Sequence, residues 1–229
     1  MNRLVRLLKD VPTNGFSAFF RSLARLRGSP AVHPRGVTFA ARLVVDQPTP
    51  VIPDGDHVAT VRLSKGAGTP GGWPDVLGLA LRIDVGDFLF SSSGEGVWTR
   101  WLPTPAGDWA TPRYGTLAPY ESAGRWWWLM LTPSGPPVGH ASVRELKEPP
   151  DFTLYLGDET AEWRPVGRLT IDEVIDGSGI VFDPILNHPP TAQPAPRWLR
   201  DLRERAYSSS RQGREAPPPL TEARDRRPG

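Results

Sequence analysis

Cysteine is absent from the 229 residues, which excludes disulfides, thiolate metal sites, iron–sulfur clusters and cysteine nucleophiles together. An excess of one charge is also missing, since 27 Lys and Arg stand against 25 Asp and Glu. A formal net charge of +2 gives no basic stripe, so no nucleic-acid partner is expected. Long apolar runs are lacking as well. No stretch is long enough to span a bilayer, and Lys9 and Asp10 interrupt the apolar start MNRLVRLLKDV before a signal-peptide core is reached. The expectation is a cytoplasmic protein without membrane insertion. Histidine is scarce, at four in the chain. His57, His140 and His188 have no metal-ligand spacing to one another or to His33, and read as surface or loop residues.

What the chain does contain is aromatic and β-rich. Nine Trp and eight Phe, with 38% hydrophobic residues overall, supply the core of one domain. Phe16, Phe19, Phe20, Leu23 and Leu26 fall at helical spacing, so residues 1–30 are expected to form an N-terminal helical segment ended by Gly28 and Pro30. Residues 31–186 change character to short runs broken by Pro, Gly and Asp: VTFAARLVVD, HVATVRLS, LGLALRI, DFLF, GVWTRWLP, RWWWLML, DFTLYLG and EWRPVGRLTI. About eight strands in succession predict an antiparallel barrel or sandwich. Within Trp126, Trp127 and Trp128 a strand sends the middle ring to the opposite face, so at least one ring is expected on an outer wall beneath another element. Residues 187–214 read as a proline-rich connection followed by a second helix, and residues 215–229 as a disordered tail.

Two motif matches are set aside. Gly66-Ala67-Gly68-Thr69-Pro70-Gly71 fits the dinucleotide-binding pattern, but Trp73 and Pro74 follow where a helix is required, so the glycines read as a turn between strands. Asp172 and Glu173 are sequence neighbours whose side chains point apart, which does not make an acid/base pair.

On the second helix Leu199, Arg203 and Tyr207 are four apart, and Ser210 and Arg214 continue the same stripe. A phenolate is a ligand for ferric haem iron, and a guanidinium one turn away favours its ionised form. The pair becomes informative through what precedes it. Val32-His33-Pro34-Arg35-Gly36, Val61-Arg62-Leu63-Ser64 and Asp75-Val76-Leu77-Gly78-Leu79-Ala80-Leu81-Arg82 come first. Val166-Gly167-Arg168-Leu169, Val181-Phe182-Asp183-Pro184, Asn187 and Pro189-Pro190 follow, and then Arg203, Tyr207 and Arg214. In this order the segments resemble the catalase family over most of residues 30–214. The Phe-Asp-Pro piece is the most specific.

The resemblance implies an α+β protein: a catalase-like antiparallel β-barrel with an N-terminal helix and a C-terminal helix packing on it. It implies haem b (heme b) as cofactor, Tyr207 as the axial ligand of the iron, and His33 on the opposite side with Ser64 orienting it. Arg203 would stabilise the phenolate, while Arg62 and Arg214 would complete the cofactor contacts, Arg62 balancing a propionate. The activity implied is that of a haem-dependent peroxidase or related oxidoreductase, with a small-molecule peroxide, hydrogen peroxide or an organic hydroperoxide, as substrate. Oligomeric state is left open.

The departures from the family lie in the site. Where the family has Trp-Asp-Leu-x-Gly-Asn-Asn, this chain has Asp87-Phe88-Leu89-Phe90-Ser91-Ser92-Ser93, with serine in place of the distal amide. Pro30 replaces an arginine expected three residues before the distal histidine. A rival reading is therefore a catalase-fold protein that has lost haem and acts as a ligand-binding or scaffolding module. A serine hydrolase using Ser91, Ser92 or Ser93 ranks last, since no Gly-x-Ser-x-Gly elbow or triad spacing is present.

Overall fold

The structure is a computed structural model that describes residues 36–135, 140–144, 146 and 148–195. The two helices expected over residues 1–30 and 187–214 lie outside these residues, apart from the first part of the connection. Among the described residues the single helical turn is the 3-10 segment Thr99–Trp101.

Period-two alternation of apolar side chains makes the strands. In β3 (Asp75–Ile83) Leu77, Leu79, Leu81 and Ile83 are buried, while Val76, Gly78, Ala80 and Arg82 face outward. β1 (Gly36–Val45) and β2 (Gly55–Lys65) follow the same rule, with Phe39, Leu43, Val61 and Leu63 inside. β4 (Gly86–Ser93), β6 (Arg113–Gly115), β8 (Arg125–Ser134), β9 (Asp151–Gly157) and β10 (Trp163–Ile175) complete the ring. The antiparallel order runs β1, β2, β3, β4, β6, β8, β9, β10 and back to β1, so the eight-stranded barrel has no free edge. Two-residue β5 (Pro105–Ala106) pairs with β3, and β7 (Tyr120–Ser122) and β11 (Gln193–Pro194) extend the sheet beside β8. Pro165 is accommodated in β10 because a bulge interrupts the ladder between Pro165 and Gly167.

The lumen is a packed core. Phe88, Phe90, Leu129, Leu131, Tyr114, Phe152, Leu154 and Leu156 meet the side chains of β1 to β3 there, each at most 1% exposed. Each such side chain contributes about 1.5–3 kcal/mol on burial. An eight-stranded barrel is just wide enough for its own side chains, so a ligand site falls on the outer wall or at an end.

Trp127 packs with the core cluster, whereas Trp126 and Trp128 lie on the outer wall under Trp101, as the alternation argument anticipated. Trp101 meets the Trp128 ring edge-on at 5.4 Å, and the Arg100 guanidinium lies 3.5 Å over the same ring. The run GVWTRWLP is consequently not a strand. Its alternation is replaced by a 3-10 turn that drives Arg100 and Trp101 onto the barrel and leaves Trp98 exposed. The glycine-rich run 66–71 is a connection between β2 and β3 and opens no helix, as expected.

The segment Phe182-Asp183-Pro184 is tied to the barrel by one buried carboxylate. Asp87, fully buried, receives a bidentate pair from Arg82 at 2.7 Å on each oxygen. The same carboxylate accepts from the Asp183 backbone N–H at 2.7 Å and from Asn187 Nδ2 at 3.1 Å. Asp183 in turn caps its own turn by accepting from the Ile185 and Leu186 N–H groups.

Candidate functional site

One register row crosses the outer wall. Gly36 on β1 faces Ser64 on β2, Ser64 faces Gly78 on β3, Gly78 faces Ser91 on β4, and Ser91 faces Gly115 on β6. All five positions point away from the lumen, because their neighbours Val37, Leu63, Leu79, Phe90 and Tyr114 belong to or pack on the core. Arg62 shares this face one step along β2, opposite Thr38 and Ala80.

The glycines leave space that polar side chains fill. Arg62 Nε is 2.8 Å from where a Cβ on Gly36 would stand. Ser64 Oγ is 3.2 Å from the same point on Gly78, and Ser93 Oγ 2.6 Å from it on Gly115. Three polar groups thus lie flat against a wall stripped of side chains. Among the described residues Arg62 has no ion-pair partner.

The row also marks where the sheet splits. β3 and β4 are paired up to Gly78 and Ser91. Beyond that point Ser92 Oγ accepts from the Leu77 N–H at 3.0 Å and donates to Thr104 O at 2.5 Å, while Asp75 and Val76 pair with β5 instead. Ser93 sits at this divergence. Its hydroxyl is buried and has no hydrogen-bond partner among the described residues.

Of the sequence-predicted residues, Ser64 and Arg62 are brought together on this wall, in line with Ser91. His33, Tyr207, Arg203 and Arg214 lie outside the described residues; the described chain begins at Gly36, three residues after His33. Sequence reasoning named Ser93 only beside Ser91 and Ser92, as a low-ranked hydrolase serine, and did not separate it from them. The signal was available, because in a strand Ser91 and Ser93 share a face and Ser92 takes the other.

The reading of His57 as a surface or loop residue is corrected. It lies on β2, is buried, and bonds Asp84 Oδ1 at 2.7 Å through Nδ1 and the Pro53 carbonyl at 3.0 Å through Nε2. Sequence spacing was blind to this, since the interior end of a barrel strand accepts a histidine once both ring nitrogens are satisfied. His57 lies near the Gly55 end of β2, opposite the end that holds Ser64, so it does not meet the serine run.

Lys65, also buried, donates to the carbonyls of Gly71 at 3.0 Å and Trp73 at 2.8 Å, and burial pushes its amine below the usual lysine range. The neighbouring Asp75 carboxylate accepts from Ala67 and Thr69. These bonds shape the β2–β3 connection and leave neither group open to a ligand.

Among the described residues no group of three or more His, Asp or Glu side chains has metal-binding geometry, and no helix is long and apolar enough to cross a membrane. No known family model matches the sequence, and no curated protein is similar to it.

Proposed function

We propose that the protein is a haem-dependent, peroxidase-type enzyme for hydrogen peroxide or organic hydroperoxides, built on a catalase-like barrel. The observation that supports this reading is the register row: Ser64 and Gly78, drawn from two separate segments with family resemblance, fall side by side on one outer wall with Ser91, which stands where the family has its distal-amide run. The described residues fit a flat cofactor. Gly36, Gly78 and Gly115 keep the wall free of their own side chains, and Arg62, without an ion-pair partner among the described residues, supplies a cation at its margin for a propionate.

In this reading Tyr207 would hold the haem iron with Arg203 stabilising its phenolate, Arg62 and Arg214 would hold the cofactor's carboxylates, and His33 would serve the peroxide. The bound haem supplies the redox chemistry of oxygen–oxygen cleavage. His33 takes the proton from the hydroperoxide and returns it to the departing oxygen, work suited to an imidazole. Ser64 orients that imidazole by a hydrogen bond. A catalase-fold protein without haem, acting as a ligand-binding or scaffolding module, is the competing reading. The two part on whether the full chain, expressed with haem supplied, carries a Soret band that Tyr207→Phe alters.

A further inference from the structure

We propose that His57 is a proton-controlled clasp: as an imidazolium it ties β2 to both connections beside it at the Gly55 end of the barrel, and loss of the proton frees the connection that plugs that end. The clasp lies at the end of β2 away from Ser64 and stands independently of any cofactor. The plug is the β1–β2 connection, whose Val51 and Ile52 are fully buried and belong to the core cluster. Thr49 folds this connection on itself, accepting from the Val51 and Ile52 N–H groups and donating to the Ile52 carbonyl at 2.6 Å. The next carbonyl, that of Pro53, lies 3.0 Å from His57 Nε2.

Both groups that face the ring are acceptors, since Asp84 Oδ1 stands 2.7 Å from Nδ1. A neutral imidazole has one N–H and one lone pair and serves one of them, whereas the imidazolium donates to both. His57 is only 7% exposed, so bulk water does not relieve a lone pair turned on a carbonyl oxygen there. When one bond goes, the carboxylate keeps its N–H, because a charged acceptor holds the stronger bond. The Asp84 side is also the fixed one: the β3–β4 turn that carries it is held to the Asn187 carbonyl through the Asp87 N–H at 2.6 Å. The other side is free to move, being exposed from Pro53 to Asp56 and joined to β2 through Gly55, whose φ of 133° lies in the left-handed region. On β1 the residue opposite His57 is apolar Leu43. The remaining charges nearby are Asp54, next to Pro53, and the Arg42–Asp56 pair on the outer face. Arg42 takes the Asp56 carboxylate, which leaves Asp84 as the acid bonded to the ring. Among side chains imidazole is the one that ordinarily changes charge between about pH 5 and pH 8.

The test uses the full-length protein, wild type beside Asp84→Asn and His57→Gln, at about pH 5.5 and about pH 8. The readouts are hydrogen–deuterium exchange, expressed as protection factors, and nitrogen NMR of the imidazole. The expected result in wild type is two ring N–H signals at the lower pH and one, on Nδ1, at the higher. Protection of residues 46–54 is expected to fall about tenfold at the higher pH while β3 and β9 stay unchanged. An asparagine amide can donate to a neutral ring and so free the other N–H for Pro53, and Asp84 is exposed enough for the exchange to leave the fold intact. Asp84→Asn is therefore expected to protect the connection equally at both pH values, and His57→Gln to show no pH effect. Equal protection of the connection at both pH values in wild type overturns the proposal. A pH effect that persists in either variant, or a single ring N–H in wild type at both pH values, overturns it as well.

Discussion

The Ser93 hydroxyl occupies the space over Gly115 that a Cβ would take in any other residue, with 2.6 Å between the two positions. Ser64 stands in the same relation to Gly78, at 3.2 Å. On this wall a serine on one strand and a glycine on the next form a flat polar surface, and the consequences are testable one residue at a time.

Gly78 lies at the centre of the row, faces outward, and has no close backbone obstacle to a side chain. Gly78→Leu is expected to leave the barrel intact, with stability unchanged or up to about 1 kcal/mol higher because glycine is unfavourable inside a strand. The same change should reduce haem uptake at least about tenfold, measured by the Soret-to-protein absorbance ratio. Undiminished uptake in a folded variant places the cofactor elsewhere.

Asp87 is the hub that fastens the Phe-Asp-Pro segment to the barrel through Arg82, the Asp183 N–H and Asn187. Removing its carboxylate leaves a partly buried guanidinium and a buried N–H without their acceptor. Asp87→Ala is expected to cost about 3–5 kcal/mol in denaturant unfolding. A loss below about 1 kcal/mol would contradict the network as drawn.

Arg100 is nearly fully buried against Trp128, and that burial pushes its guanidinium down to about 10. Folding therefore disfavours the charged form. Stability relative to an Arg100→Met variant should rise as pH climbs above about 10, where the folded guanidinium loses its proton before the unfolded one does, and stay level below about 10, where both are charged. Urea unfolding of both proteins at several alkaline pH values checks the sign. A wild-type advantage that shrinks with rising pH would show that the charge is not penalised in the folded state.

The sequence disclosed the barrel more fully than the site. Strands such as β3 and β9 were legible because Leu77, Leu79, Leu81 and Phe152, Leu154, Leu156 alternate without interruption. GVWTRWLP carried the same composition yet packs as a 3-10 turn, since Trp101 gains more from lying edge-on to Trp126 and Trp128 than from extending a strand. Trp126 and Trp128 show that alternation assigns faces even inside an unbroken aromatic run. Ser64 and Arg62 were found through resemblance and Ser91 as a departure from it, whereas the alignment of Ser64 and Ser91 in one row depends on strand register, which local sequence does not encode. The surroundings of Ser93 and His57 were missed for a related reason. His57 is held by Asp84 from a distant turn and by Pro53 four residues away, and the Ser93 hydroxyl has no hydrogen-bond partner among the described residues.

The most direct measurement is the visible spectrum of the full chain expressed with haem supplied, wild type beside Tyr207→Phe. The account predicts a Soret band with high-spin ferric tyrosinate features in the wild type, shifted or lost in the variant. Absence of haem from both proteins would contradict the peroxidase reading, leave the barrel standing, and favour the haem-free binding module.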